Sequence, residues 1–183
     1  MANAEIKART KQQLLEALLH LLNNKRLNDI SVSELVRKAG VSRSAFYRNY
    51  HYIDEILIEH ANNIFHDFFQ NKIINQSPVN WQQASLYTYR VIRENESFLR
   101  QLFINGKSGI WFNASVSEGS PFYKNKLGRP VSDEKLIFLT GGIMALGLEW
   151  LGKGNKQSIN DVANIINPQI RAILGDKKTA TSN

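Results

Sequence analysis

Four side chains suited to binding nucleic acid occur close together in the N-terminal third of the chain. At helical spacing they share one outward face: Arg43, Ser44, Tyr47 and Arg48. The two guanidinium groups match the paired acceptors of guanine, and the two hydroxyl groups bond phosphate oxygens. This chemistry predicts a helix that lies in the major groove of DNA. The alternative is a helical hairpin whose charged face is merely solvated.

Two short helices joined by a tight turn must hold that face in place. Ser31, with Glu34 three residues on, forms a capping box, so the first helix is expected to begin at Val32. Gly40 supplies the left-handed position that ends this helix, and Ser42 caps the second one. The inward face of the second helix is then Ala45, Phe46 and Asn49. Caps, turn length and outward chemistry together predict a helix-turn-helix.

The run ISVSELVRKAGVSRSAFYRNY resembles the DNA-binding helix-turn-helix of the TetR family of bacterial transcriptional regulators, including its Gly-Val-Ser turn and its Phe-Tyr pair. The resemblance implies a set of DNA-binding residues: Ser33, Arg43, Ser44, Ala45, Tyr47, Arg48 and His51. It places Ser33 near a phosphate, and the first three residues of the second helix, including Ala45, against bases. Many family members have a phosphate-binding lysine where this chain has Ile53, and His51 with Tyr52 is expected to replace it.

Composition narrows the class of protein further. With 183 residues, 43% of them hydrophobic, the chain is expected to form one or two small soluble domains. The absence of cysteine excludes a disulfide framework and a thiolate metal site, and we expect neither a metal nor a cofactor. The segment 4–11 is too polar for a signal peptide, so a cytoplasmic protein without a membrane partner is expected.

Positive charge is concentrated around the predicted helix-turn-helix. The net charge is +7, and residues 1–50 contain nine basic and four acidic residues, a balance of +5. A double-stranded DNA operator is therefore the expected partner. An anionic membrane surface, or simple solubility, would account for the same charge.

Hydrophobic periodicity predicts an all-α fold with two domains. Residues 1–52 form a three-helix DNA-binding domain, in which a leucine stripe on the first helix, about residues 5–24, covers the helix-turn-helix. Residues 53–175 are expected to form a larger helical domain, which begins with a helix near 54–74. The family resemblance implies that this domain binds a ligand and dimerises. Residues 176–183 are polar and are expected to form a disordered tail.

The stretch 106–130 is predicted to be irregular because it is rich in glycine and serine, yet it carries several aromatic residues. Aromatic residues in such a segment either line a ligand pocket or fill a gap between helices. The candidate ligand-binding residues, here and in the preceding helices, are Tyr87, Phe103, Trp111 and Phe112. Their expected ligand is a small-molecule effector of unknown identity.

Residues 136–151 form the second strong pattern, a run of apolar residues interrupted by one charge, Glu149. The run is shorter than the roughly twenty apolar residues of an ordinary transmembrane helix. A helix that is apolar all round must be buried on all sides, and a partner subunit is expected to complete that burial. Gly141 and Ala145, four residues apart, would allow another backbone to approach closely.

A last helix is predicted to begin just after Ser158, because Ser158 and Asp161 suit the start of a helix. A kink or break is expected at Pro168. This helix and the preceding one resemble the two C-terminal helices through which TetR-family regulators dimerise as a four-helix bundle. The predicted homodimer interface comprises Gly141, Ala145, Leu148, Ile159, Val162 and Ile166. An internal hairpin in a monomer is the alternative.

Together these features predict a sequence-specific transcriptional regulator that binds a palindromic operator as a homodimer. The family resemblance implies a repressor that is released by a small molecule. Two-fold symmetry would place the two recognition helices about 34–36 Å apart. A regulator controlled by a protein partner, without a small-molecule pocket, is the second hypothesis, and a helical enzyme is the third. The enzyme is disfavoured because the sequence offers no convincing triad, carboxylate pair, phosphate loop or metal-ligand spacing.

Overall fold

Helices make up the regular structure of the computed structural model, which describes residues 2–153 and 157–174; no strand occurs within those ranges. In chain order the helices are α1 (Ala2–Leu22), α2 (Val32–Ala39), α3 (Arg43–Tyr47), α4 (Asp54–Gln70), α5 (Lys72–Asn75), α6 (Trp81–Glu94), α7 (Glu96–Ile104), α8 (Ser108–Leu127), α9 (Asp133–Gly152) and α10 (Ile159–Leu174). A short 3₁₀ turn, Leu27–Asp29, lies between α1 and α2. The predicted all-α fold is confirmed, and the predicted tail at 176–183 lies outside the described residues.

The helix-turn-helix is formed by α2 and α3 and follows the predicted caps. Ser31 Oγ accepts a hydrogen bond from the Glu34 N–H at 3.2 Å, and Ser42 Oγ accepts one from the Ala45 N–H at 3.1 Å. Gly40 ends α2 with a φ of +67°, in the left-handed region that favours glycine. Local sequence therefore accounts for the bounds of both helices.

Packing against α1 fixes the orientation of α2 and α3. Four side chains between these three helices are fully buried in one cluster: Leu14, Leu18, Leu35 and Phe46. Burying each such side chain stabilises the fold by about 1.5–3 kcal/mol. Because α3 has only five residues, these contacts hold it in place far more than its own helix propensity does.

The helix α4 connects the N-terminal helices, within residues 2–52 and here called the head, to the later helices, here called the second domain. It ends at Gln70, and Asn71 is extended there before capping α5 through a 2.9 Å hydrogen bond from the Ile73 N–H. The predicted single helix to about residue 74 is therefore two helices. Because α4 packs against α1 on the head side and against α8 in the second domain, it belongs to both domains.

The stretch predicted to be irregular, 106–130, consists mostly of the 20-residue helix α8. Its glycines serve tertiary packing: a Cβ on Gly119 would lie 3.2 Å from Phe69 Cζ, so glycine there lets α8 approach α4 closely. Gly128, with a φ of +61°, ends the helix. The prediction was wrong because packing against α4 overrides the weak local helix propensity of this segment.

The apolar run lies within α9, which is longer than the run and flanked by charged residues. Among the described residues, α9 is the one helix whose length and mean hydropathy of 1.3 would let it cross a membrane, a test that core helices of soluble proteins also meet. The last helix, α10, continues through Pro168, so the predicted break does not occur. Pro168 and Asn164 are both exposed, so the hydrogen bond that proline removes lies on the outer side of α10.

Candidate functional site

The exposed face of α3 presents the predicted nucleic-acid-binding chemistry. All four of its residues are solvent-exposed: Arg43, Ser44, Tyr47 and Arg48. Arg43 Nη2 lies 3.5 Å from the Tyr47 hydroxyl oxygen, and its guanidinium carbon lies 5.7 Å from the centroid of the same ring. The ring therefore supports a guanidinium group that forms no ion pair with any described acidic residue.

Ala45 is the exception among the implied DNA-binding residues. Its side chain is 8% exposed and lies with Phe46 on the inward face, as the helical spacing predicted. Asn49 Nδ2 donates a 2.7 Å hydrogen bond to the Ala45 carbonyl on the same side of the helix. The base-facing position implied by the resemblance is wrong for Ala45, because this face of α3 is used to hold the helix in the head.

The remaining implied DNA-binding residues flank this face. Ser33, in the first turn of α2, is exposed. His51 is also exposed; its N–H donates to Glu55 Oε2 at 2.7 Å, and its Nδ1 lies 3.4 Å from Oε1 of the same carboxylate. Ile53 packs against the core and offers no phosphate contact, whereas Tyr52 is 71% exposed and accessible to one.

A hydrogen-bonded network centred on Glu59 of α4 fastens that helix to two parts of the head. Its two carboxylate oxygens accept hydrogen bonds from Lys11 Nζ of α1 and from the Tyr50 hydroxyl just after α3, each at 2.5 Å. Burial alone raises the pKa of Glu59, but the hydrogen bonds from Lys11 and Tyr50 outweigh it and hold that pKa below its ordinary value. The ionised carboxylate thus ties α1, α3 and α4 together at neutral pH.

Three contacts, together called the interdomain link, join the corner between α7 and α8 to the head and to the start of α4. The Leu27 N–H donates to Asn105 Oδ1 at 2.7 Å, and Arg26 Nη1 donates to the Ile104 carbonyl, also at 2.7 Å. Lys107, just before α8, forms an ion pair with Asp54, the first residue of α4. These contacts would therefore transmit a displacement of α8 to both the head and the start of α4.

An internal cavity of about 90 Å³ lies in the second domain, between α4, α6, α8, α9 and α10. Its wall is almost entirely apolar, and three rings of α4 form one side: Phe65, Phe68 and Phe69. Trp111, a predicted ligand-binding residue, also lines it, with its ring centroid 4.5 Å from that of Phe65. Ligand pockets usually hold about 300 Å³ or more, so a ligand here must displace some of these rings.

The other three predicted ligand-binding residues lie outside the cavity lining. Tyr87 stacks on Phe68 with ring centroids 5.5 Å apart, and Phe103 is 44% exposed on α7. Phe112 faces α9, where a Cβ on Gly141 would lie 3.7 Å from its ring. Phe112 misses the lining because α8 is a helix, in which the adjacent residues Trp111 and Phe112 point to different neighbours, while Tyr87 and Phe103 lie on other faces of α6 and α7. The α4 phenylalanines had the spacing of core positions, and nothing local distinguishes a core position from a cavity wall.

An apolar stripe on the outward face of α9 remains uncovered in the single chain. This α9 stripe comprises Phe138, Gly142 and Ala145, with Glu149 at its end. Phe138 is 74% exposed, and a Cβ on Gly142 would meet nothing within 4 Å. On α10, Ile165 is 47% exposed. The expectation that one chain leaves part of this apolar helix uncovered is confirmed.

The predicted dimer residues divide into two groups. Four are exposed or partly buried: Gly141, Ala145, Leu148 and Ile159. Val162 and Ile166 are only 3% and 4% exposed, because α10 turns that face toward α6. Their assignment to a subunit interface is wrong, since the protomer's own core uses the main apolar face of α10. Gly141 faces Phe112, so Gly142 is the glycine that lies open on the α9 stripe.

The described residues contain no cluster of three or more histidine, aspartate or glutamate side chains able to hold a metal ion. His60 packs edge-on against Phe98, with ring centroids 4.6 Å apart, and burial lowers the pKa of its imidazole. His66 Nδ1 lies 3.4 Å from a Glu118 carboxylate oxygen. These histidines serve helix packing and a surface contact between α4 and α8.

Comparison with known proteins identifies the fold. By sequence, the chain matches no protein-family model and no curated protein. By structure, it is similar to a TetR transcriptional regulator from Streptococcus agalactiae 2603V, with a TM-score of 0.64 and 19% identity over 93% of this chain and 98% of that chain. Lin0861 from Listeria innocua gives a TM-score of 0.73 and 20% identity over 90% and 91% of the respective chains. A tetR-family transcriptional regulator from Streptomyces coelicolor gives a TM-score of 0.61 and 14% identity over 90% and 79%. The chain therefore has the fold of TetR-family transcriptional regulators.

Proposed function

We propose that this protein is a cytoplasmic, sequence-specific DNA-binding transcriptional regulator: a repressor that binds a palindromic operator as a homodimer and is released by a small-molecule effector. The observation that carries the proposal is the exposed face of α3, where Arg43 rests on Tyr47 without an acidic partner among the described residues. A guanidinium group presented on a helix that is held from behind suits base recognition in the major groove. The TetR-like fold supports the same conclusion.

The exposed residues of the head take different roles in this proposal. Arg43 reads a guanine edge, while Tyr47 limits the motion of the guanidinium group. Ser44 contacts a base or a phosphate, and Arg48 contacts the backbone or a flanking base. Ser33 and His51 flank the face, where they bond phosphates on either side.

Homodimer formation is supported by the α9 stripe. Phe138 exposes 74% of its surface beside the open surface at Gly142 and Ala145, and a second helix that approached there would cover the ring. A two-fold dimer would place its two α3 helices in successive major grooves about 34–36 Å apart. A palindromic operator follows from that symmetry.

Release by a small molecule is supported by the position of the cavity. Residues of α4 and α8 form part of its walls. The helix α4 begins at Asp54, which takes part in the interdomain link through its ion pair with Lys107. A ligand that enlarges the cavity favours a conformation with α4 and α8 displaced, and the shift is limited by its differential affinity for the two states. A cavity of this kind supports a small-molecule effector over control by a protein partner alone.

The proposal is tested by binding of the purified protein to the DNA that flanks its own gene, across a salt series, against scrambled DNA of equal length. We expect one dimer per palindrome, clear preference for the flanking DNA and steep weakening by salt. Arg43→Ala should lower operator affinity by about 1–3 kcal/mol without changing the fold.

The matched control is Arg93→Ala, which removes the same charge from an exposed position on α6, far along the chain from α3. It should leave the preference for operator DNA intact. Unaltered operator affinity in Arg43→Ala would remove that residue from base reading. If neither flanking DNA nor fragments selected from the genome bind better than scrambled DNA, the proposed function is wrong.

A further inference from the structure

A groove of about 660 Å³ lies on the surface next to the internal cavity. Its walls come from the segment before α6, the end of α8 and the last turns of α10. Four side chains line both the groove and the cavity: Val79, Trp81, Lys126 and Leu127. The groove therefore adjoins the cavity, with the Trp81 side chain between them, and we call it the mouth of the cavity.

The walls of the mouth carry positive charge. Lys126 and Arg171 line it, and no acidic side chain does so among the described residues. Lys126 Nζ is held by a 2.7 Å hydrogen bond to the Asn75 carbonyl, and as an ammonium group it keeps donors for another acceptor. Arg171 forms no ion pair with the described part of the chain.

The interior of the cavity has the opposite character. Its three short hydroxyl side chains are already bonded within the protein: Thr88 to the Ala84 carbonyl at 2.9 Å, Ser115 to the Phe112 carbonyl at 2.8 Å, and Thr140 to Ser115 Oγ at 3.1 Å. The phenol of Tyr123 is neutral, since burial raises its pKa. A charged group placed inside would lose its hydration without gaining a charged partner.

We propose that the effector is an amphipathic anion, whose apolar body enters the aromatic cavity while its anionic head group is held at the mouth by Lys126 and Arg171. The inference rests on the proposed function in taking this cavity as the effector site. Two cations at the opening of an apolar cavity select a ligand with the same division between its two ends. The head-group chemistry is that of a carboxylate or another single anion on a hydrocarbon or aromatic body.

The test compares three probes that share one chain and differ in head-group charge: decanoate, 1-decanol and decylammonium. Binding to the purified full-length protein is measured without DNA, by calorimetry and by tryptophan fluorescence, because Trp81 and Trp111 line the site. Decanoate should bind at least about tenfold more tightly than decanol, and decylammonium should bind most weakly. Acetate, which lacks the apolar body, should not bind.

Two double variants test whether the cations at the mouth cause the preference for decanoate over decanol. Lys126→Gln with Arg171→Gln should remove the advantage of decanoate over decanol while leaving decanol affinity unchanged. Lys124→Gln with Lys135→Gln removes two exposed cations that do not line the groove, and it should preserve that advantage. Unchanged decanol binding also shows that the variant is folded.

Absence of decanoate binding, equal affinity for the three probes, or an unchanged preference in the Lys126→Gln/Arg171→Gln variant would overturn the inference. These outcomes are separate from the DNA measurement, because the probes are titrated without DNA. Operator binding without decanoate binding would overturn the ligand class alone. Decanoate binding with the predicted charge preference, in a protein that does not bind its operator, would overturn the proposed function alone.

Discussion

The backbone N–H of Leu27 donates a 2.7 Å hydrogen bond to Asn105 Oδ1, so a side chain of the second domain caps the 3₁₀ turn of the head. The same Asn105 side chain donates from Nδ2 to the Gln101 carbonyl at 2.8 Å and thereby closes the last turn of α7. One amide group thus joins the end of α7 to the segment that precedes the helix-turn-helix. The two domains are connected by oriented hydrogen bonds as well as by the continuous helix α4.

Asn105→Ala should loosen this connection. Losing the bond to a half-buried backbone N–H should lower the free energy of unfolding by about 1 kcal/mol and speed hydrogen exchange of the Leu27 amide. Asn105→Asp keeps an acceptor for that N–H and should restore much of its protection. Amide exchange followed by NMR distinguishes the two variants. Equal Leu27 exchange in Asn105→Ala and in the unmodified protein would show that this hydrogen bond does not protect the turn.

Glu59 should make the stability of the fold depend on pH. The folded-state pKa of Glu59 is lowered by hydrogen bonds from Lys11 and Tyr50, which outweigh burial, so its stabilising contribution is present above the ordinary glutamate pKa of 4.5. That contribution is lost as the pH falls through the lowered folded-state pKa. Glu59→Gln should therefore be less stable than the unmodified protein at pH 7, and the difference should narrow below about pH 4.5.

Urea unfolding of both proteins at several pH values measures this difference. Glu118→Gln serves as the control, because Glu118 contacts only the exposed His66 in the described ion pairs. Its pH dependence should follow that of the unmodified protein. A stability difference for Glu59→Gln that does not change between pH 7 and pH 3 would contradict the assigned role of the carboxylate.

Phe138→Glu should weaken the proposed homodimer. It places a charge at the most exposed aromatic position of the α9 stripe, where a partner helix would bury it, and a cost of about 2 kcal/mol or more is expected for dimerisation. Sedimentation velocity over a concentration series measures the shift toward monomer. Phe103→Glu, at an exposed phenylalanine of α7, is the matched control and should leave the dimer intact. The same monomer–dimer equilibrium in both variants would place the interface elsewhere.

Gly147→Ala should destabilise the second domain. An added Cβ would lie 2.9 Å from Ile92 Cγ2 and 3.1 Å from Ile92 Cδ1, so either the Ile92 side chain leaves its position or α6 and α9 move apart. Overpacking of this kind costs about 1–3 kcal/mol. Gly109→Ala, also in a helix but with nothing within 4 Å, should be neutral or slightly stabilising. Thermal unfolding compares the two, and an unchanged midpoint for Gly147→Ala would show that the helices tolerate the extra methyl group.

Local patterns predicted the head well because its signals act over a few residues. The Ser31 and Ser42 caps, the left-handed Gly40 and the inward Phe46 depend on neighbours within one or two turns, and all appear as expected. The outward position of Arg43 followed from the same spacing. The resemblance-based placement of Ala45 against bases failed where it disagreed with that spacing.

The second domain was predicted less completely, because its assignments depend on contacts between distant segments. Glycines around Gly119 resemble loop residues in the sequence, but α4 packs against them. Pro168 suggests a break, but it lies on the exposed side of α10, and the helix continues through it. Val162 and Ile166 have the spacing of an apolar face, but that spacing does not distinguish the chain's own α6 from a second subunit.

The amino-acid sequence by itself determined the all-α class, the bounds of α2 and α3, and the chemistry of the exposed α3 face, since caps, glycine conformation and helical periodicity are local properties. Only the tertiary structure decided which aromatic residues enclose the cavity, that Lys126 and Arg171 share its mouth, and that Asn105 reaches Leu27. Each of these joins residues more than forty positions apart or on separate helices. Their proximity is set by packing of the whole chain, which no local pattern encodes.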